Sequence, residues 1–227
     1  MRKKTFSMPT ATEPRLVPFI TQRKGEEAAP NNLAIFRHSS GAKLHYRDED
    51  RRDRPVRDVL WARCAFSPVD GNGMPTGEPQ WKFMHPYRQM MTMFALSCQV
   101  CTKPARTPLG YVFLAGPKDE DPRQLSILTN QPPVCPKHVR TAAALCPHLE
   151  KKPMVFLASS APLYGVHGTI YGLNANQEVH AVAQPDEALP FAHPNVRTLL
   201  ASQLIRRLSA FRVLDMGELQ RALSLAA

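Results

Sequence analysis

Apolar and polar positions along this 227-residue chain fall into short alternating runs and a few longer stretches of helical period. Residues 33–37, 43–47 and 59–66 read as strands. In the last of these, Leu60, Ala62, Cys64 and Phe66 alternate with Trp61, Arg63 and Ala65, the period of a strand with two unlike faces. Residues 86–96 predict a helix: Pro86 suits a first turn, and Met90, Met91, Met93, Phe94 and Leu96 make a broad apolar surface for core packing or for an adaptable partner contact. Further strands are expected at 110–115, 123–129, 154–158, 164–173 and 179–182. A helix is predicted over 195–210, with Val196, Leu199, Leu200, Leu204, Ile205 and Leu208 on one side. Arg206 and Arg207 fall near its end, where cations suit the helix dipole. A last short helix over 216–225 starts at the capping residue Asp215.

Between these elements lie the charged connection 48–58 and the turn-rich run Asp70-Gly71-Asn72-Gly73 with Pro75, Gly77 and Pro79. Residues 1–32 mix basic, small and proline residues without an apolar period, which predicts a mobile basic leader; Leu16, Val17, Phe19 and Ile20 offer a docking point within it. Residues 33–227 then form a single α+β domain of short antiparallel strands and helices.

Composition places the chain among soluble proteins of ordinary core size: 43% of residues are hydrophobic, and no apolar run reaches about 18 residues. Five cysteines, an odd number, fit thiols or metal ligands in a reducing cytoplasm better than a disulfide framework. The formal charge is +10, with 13 Lys/Arg against 7 Asp/Glu in residues 1–57 and 16 against 12 thereafter. Such an excess attracts polyanions and makes nucleic acid the first partner to consider, the alternative being a solvated basic leader.

One motif carries chemistry. Cys98-x-x-Cys101 is followed, after 33 residues, by Cys135-x-x-His138. Two ligand pairs at this spacing complete the tetrahedron that Zn2+ prefers, and four protein ligands leave no open position, so the ion is expected to be structural. Pro136 suits the first position of a helix over 139–145, which places Cys135 and His138 one turn apart on one side. A hairpin is expected between the pairs, from 110–115 and 123–129. Cys146 lies eleven residues beyond Cys135, about 16 Å along a continuing helix, too far to share the ion. A second site from Cys146, His148 and either His85 or Cys64 competes with a buried thiol and a helix-terminal histidine.

The order of knuckle, hairpin and ligand-bearing helix resembles the treble-clef zinc finger superfamily over residues 96–149. That resemblance implies a fold and one zinc ion, not an activity. The runs Met84-His85-Pro86-Tyr87-Arg88-Gln89, Pro132-Pro133-Val134-Cys135 and Leu145-Cys146-Pro147-His148-Leu149 also resemble a group of uncharacterised actinobacterial zinc-finger proteins, which implies a bacterial setting. Enzyme readings fare poorly. The segment 109–129 lacks the histidine that an HNH nuclease needs, and Val139 stands where that family has another. His148-Leu149-Glu150 follows the cysteines, whereas a zinc deaminase needs it before them. The expectation is a non-enzymatic zinc protein in a regulatory role, with Lys103, Arg106, Lys137 and Arg140 as phosphate contacts. A protein-binding adaptor and an accessory enzyme with a site elsewhere are the alternatives.

Overall fold

A computed structural model describes residues 16–29, 31–39, 41–116, 126–146 and 153–226. The first half of the chain runs through β1 (Thr21–Arg23), β2 (Leu33–His38), β3 (Gly41–Tyr46), β4 (Pro79–Met84), α1 (Pro86–Ala95), β5 (Arg106–Thr107) and β6 (Gly110–Ala115). The second half runs through β7 (Ile127–Thr129), α2 (Val139–Leu145), β8 (Met154–Ser160), β9 (Leu163–Leu173), β10 (Val179–Ala183), β11 (Leu189–Pro190), β12 (Leu199–Leu208), β13 (Ala210–Leu214) and α3 (Met216–Leu225).

Two antiparallel sheets organise the described residues: one in the order β10-β9-β12-β7 with β11 also on β9, the other in the order β13-β8-β6-β5. Hairpin β2–β3 and the pair β1–β4 form two smaller ones. The chain is thus mixed, strand-rich and of α+β type. Among the described residues no helix is long and apolar enough to cross a membrane.

The helix expected over 195–210 is a strand. After a 3-10 turn at Pro194–Thr198, β12 pairs with β9 on one side and β7 on the other. Its two faces are both buried: Leu199 and Leu204 join the core under α1, whereas Leu200 packs with Leu33, Leu44 and Tyr46. Register shifts between Ala201 and Gln203 and between Ile205 and Arg206 break the strict alternation. A two-sided burial with bulges therefore mimics a helical spacing in sequence. Arg206 does serve a helix C-terminus, but that of α1: its guanidinium donates to Met93 O (2.7 Å), Phe94 O (2.9 Å) and Ala161 O. Segment 59–66, expected as a strand, is extended but makes only single bridges, with Trp61 beside Ala201 and Ala62 N donating to Ala201 O at 2.8 Å.

Of the leader expected over 1–32, residues 1–15 lie outside the described residues, and part of the rest packs within the fold. Ile20, Thr21, Gln22 and Arg23 are all buried, and β1 pairs with β4. The anchor is ionic: Glu26, 1% exposed, accepts from both terminal nitrogens of Arg88 on α1, from Arg23 N (2.6 Å) and from Ser67 N (2.8 Å). Phe19 N and Ile20 N also donate to Val100 O and Gln99 O, each at 3.2 Å, so the expected docking point sits on the cysteine knuckle.

Close backbone approach makes β9 sensitive to small changes. A Cβ on Gly165 would lie 1.9 Å from Leu189 O, and one on Gly168 would lie 2.1 Å from Leu200 O. Backbone cannot rotate aside as a side chain can, so Gly165→Ala is expected to cost about 2–4 kcal/mol, read as a lower urea midpoint at unchanged m-value.

Candidate metal centre

The knuckle is shaped by backbone hydrogen bonds. Thr102 N donates to Cys98 O and Cys98 N to Lys103 O, both at 2.8 Å, and Thr102 takes a left-handed conformation (φ 63°) to close the turn. Gln99, between the two cysteines, ties the knuckle to the second ligand segment: its backbone N donates to Pro133 O and its Nε2 to Pro132 O, each at 3.0 Å. Val134 N donates to Val112 O at 2.8 Å, which fixes the approach to Cys135. Pro136 then opens a 3-10 turn, Pro136–His138, that leads directly into α2, and His138 N donates to Cys135 O at 2.9 Å.

This scaffold brings Cys98, Cys101, Cys135 and His138 together, with their ligand atoms all within 4.8 Å of one another. Cys101 Sγ lies 3.9 Å from Cys135 Sγ, and His138 Nδ1 lies 3.3 Å from Cys135 Sγ and 4.0 Å from Cys98 Sγ. Around a tetrahedral Zn2+, with Zn–S of about 2.3 Å and Zn–N of about 2.0 Å, the S···S and S···N edges are roughly 3.8 and 3.5 Å. The donor set fits one such ion, and Nδ1 of His138 is the nitrogen that faces the thiols.

Electrostatics agrees with that fit. Burial, with Cys98 beside it, pushes the Cys135 thiol up to about 12, and burial likewise raises Cys101. Thiols that resist ionising together need a cation among them to become thiolates. Burial, then Lys137 and Lys103, lowers the His138 pKa and so favours the neutral imidazole that ligates. Cys98, fully buried, shares a core with Val100, Val112, Val134, Val139, Ala142 and Leu219, so the site is also the centre of a packed cluster.

The expected hairpin between the ligand pairs differs from the observed one. β6 pairs with β5 and β8, while β7 pairs with β12, and 117–125 lie outside the described residues. The distant β12 offers β7 a longer apolar partner, a contact no local pattern reveals. The second site expected from Cys146 and His148 with His85 or Cys64 falls partly outside the described residues, at His148, while Cys146 packs with the metal-side core. His85 caps α1, its Nδ1 accepting from Arg88 N at 3.4 Å and its Nε2 lying 3.0 Å from Ala65 O. That pairing makes Nε2 the protonated nitrogen. Cys64 Sγ lies 3.4 Å from that nitrogen and 3.7 Å from Nδ1, and burial raises its thiol to about 11.

Lys103, Arg106, Lys137 and Arg140 are all exposed around the cluster. Arg106 lies over Tyr111, 5.5 Å from its ring centre, and Arg140 donates to Gln220 of α3. The described residues 96–116 and 126–146 contain these four cations and no Asp or Glu. An open groove runs beside α2, lined among others by Ile20, Trp81, Phe83, Gln99, Leu145 and Cys146; its walls are largely apolar, with the amides of Gln99 and Gln131 and the amine of Lys82. Neither Gln99, the tether inside the knuckle, nor the Glu26–Arg88 pair has a recognisable sequence signal, since each depends on partners more than 30 residues away. No protein-family model, curated protein or solved structure matches this chain.

Proposed function

We propose that this chain is a non-enzymatic zinc protein in which a treble-clef-like module presents a basic face to nucleic acid in a regulatory role. The order of knuckle, β5–β6 hairpin and a helix start bearing Cys135 and His138 supports the treble-clef assignment. Four protein ligands fill the zinc coordination sphere, so the ion stiffens the module and leaves no site for an activated water. The observation that carries the nucleic-acid reading is charge: the ligand-bearing segments hold four exposed cations without one acidic residue. Exposed cations on a rigid base suit phosphate contacts that position a polyanion without reading its sequence.

The test is binding of a mixed-sequence oligonucleotide across a salt series. Affinity is expected to fall steeply with salt, and Lys103→Gln with Lys137→Gln to weaken binding for every sequence and reduce the log–log slope by about one per lost contact. Binding that is absent, or indifferent to salt and to both substitutions, would refute the reading. A protein-binding adaptor is the second reading, favoured by Met91 and Phe94, which are 52% and 56% exposed on the outer side of α1. Affinity purification with and without nuclease separates the two: partners lost on nuclease treatment support the first, and a protein retained through it supports the second.

A further inference from the structure

We propose that His38 and His45 form a second metal-ion site, on the β2–β3 hairpin, for a borderline first-row cation such as Ni2+, Cu2+ or Zn2+. Their Nε2 atoms face each other 3.2 Å apart. Two imidazole nitrogens about 2.0–2.1 Å from one ion are roughly 3.4 Å apart at a tetrahedral angle and roughly 2.9 Å apart at a right angle, which brackets this separation. The hairpin register puts Ala34, Phe36 and His38 on the same face as Gly41, Lys43 and His45, so both rings rise from one surface.

The orientation of His45 is fixed from behind. Its Nδ1 lies 3.0 Å from Glu49 Oε2, and Glu49 is itself held by Arg54, through Nε at 2.7 Å and Nη2 at 3.1 Å. A carboxylate that accepts the Nδ1 proton leaves the Nε2 lone pair free for a cation and raises its basicity, the arrangement that supports histidine ligands in metal sites. The Phe36 ring packs edge-on against His45 at 5.4 Å and limits its rotation. Burial, opposed by Glu49 and assisted by Arg54 and Lys43, lowers the His45 pKa and keeps the ring neutral. The nearby cations are paired, Lys43 with Asp58 at 2.5 Å and Arg54 with Glu49, so their repulsion of an incoming ion is reduced. His38 is exposed, and the ion enters from solvent with water in its remaining positions. Such a two-histidine site exchanges its ion readily, in contrast to the closed Cys3His centre.

The alternative use of the same geometry is a simple N–H···N hydrogen bond between the rings. Titrating Ni2+ into the zinc-loaded full chain distinguishes them. Calorimetry is expected to show one further equivalent of Ni2+, with paramagnetic broadening confined to hairpin signals and no sulfur-to-nickel absorption band. His38→Ala, which alters an exposed side chain, is expected to abolish that equivalent without moving the melting temperature. Glu49→Gln is expected to weaken it by about 10–100-fold. No further equivalent, or binding by His38→Ala and His45→Ala equal to that of the native sequence, would overturn the site and leave the Cys3His reading untouched.

Discussion

Removal of zinc is expected to lower the melting temperature by roughly 10 °C or more and to unfold the knuckle and α2 first. The magnitude follows from what holds this region. α2 is seven residues long, and neither it nor the 3-10 turn before it has a side-chain N-cap hydrogen bond. A helix of two turns is unstable alone, so its start depends on the two ligands that pin it. Cys98 sits in the centre of its core, and without an ion three thiols and an imidazole would crowd together unpaired. Structural zinc binding contributes about 10–16 kcal/mol in small metal-folded peptides, and even a fraction of that is large beside ordinary domain stability. A loss of about 4 kcal/mol corresponds to the stated shift for a domain of this size. Chelator titration followed by circular dichroism and amide exchange reads both the shift and its location, and Cys135→Ser should reproduce it. The β2–β3 hairpin, with its own contacts to β12, should keep its protection.

The second large effect concerns Glu26. Glu26→Ala is expected to cost about 3–5 kcal/mol, because it leaves the buried guanidinium of Arg88 without its anion and removes the negative charge beside buried Arg23. Burial alone would raise the Glu26 pKa. The Arg88 hydrogen bonds overcome it, joined by the N–H groups of Ser67 and Arg23, and bring the value from 4.5 to about 2. A folded-state value below the unfolded one stabilises the fold above the unfolded pKa, and the contribution fades as pH drops from about 4.5 towards 2. A shift of this size is worth about 3 kcal/mol. Urea unfolding at pH 6 and pH 3 should therefore show a steep acid loss in the native sequence and a shallower one in Glu26→Gln. Equal pH dependence in the two would show that Glu26 is not the group responsible.

The metal centre was legible in sequence because its information is local. Cys98 and Cys101 are three residues apart, as are Cys135 and His138, and a thiol pair at that spacing has few other uses. α1 and α3 were legible for the same reason, their apolar periods and the Asp215 cap lying within one element; Asp215 accepts from Glu218 N as a capping residue should. What failed depended on distant chain. β12 read as a helix because both faces are buried and two bulges disturb its period, facts set by β9 and β7. The basic segment before residue 33 read as a leader because nothing near it announces that Glu26 meets Arg88, 62 residues further on. The basic rim was legible as composition, and the structure adds its exposure and the packing of Arg106 on Tyr111.

Cys98, Cys101, Cys135 and His138 are proposed to hold one zinc ion. X-ray absorption at the zinc edge, on protein purified without added metal and with its metal content measured, tests this most directly. One zinc per chain is expected, in a shell of three sulfurs at about 2.3 Å and one nitrogen at about 2.0 Å, with the nitrogen lost in His138→Ala. A metal-free chain, a shell rich in oxygen, or a sulfur count unchanged by Cys135→Ser would contradict it.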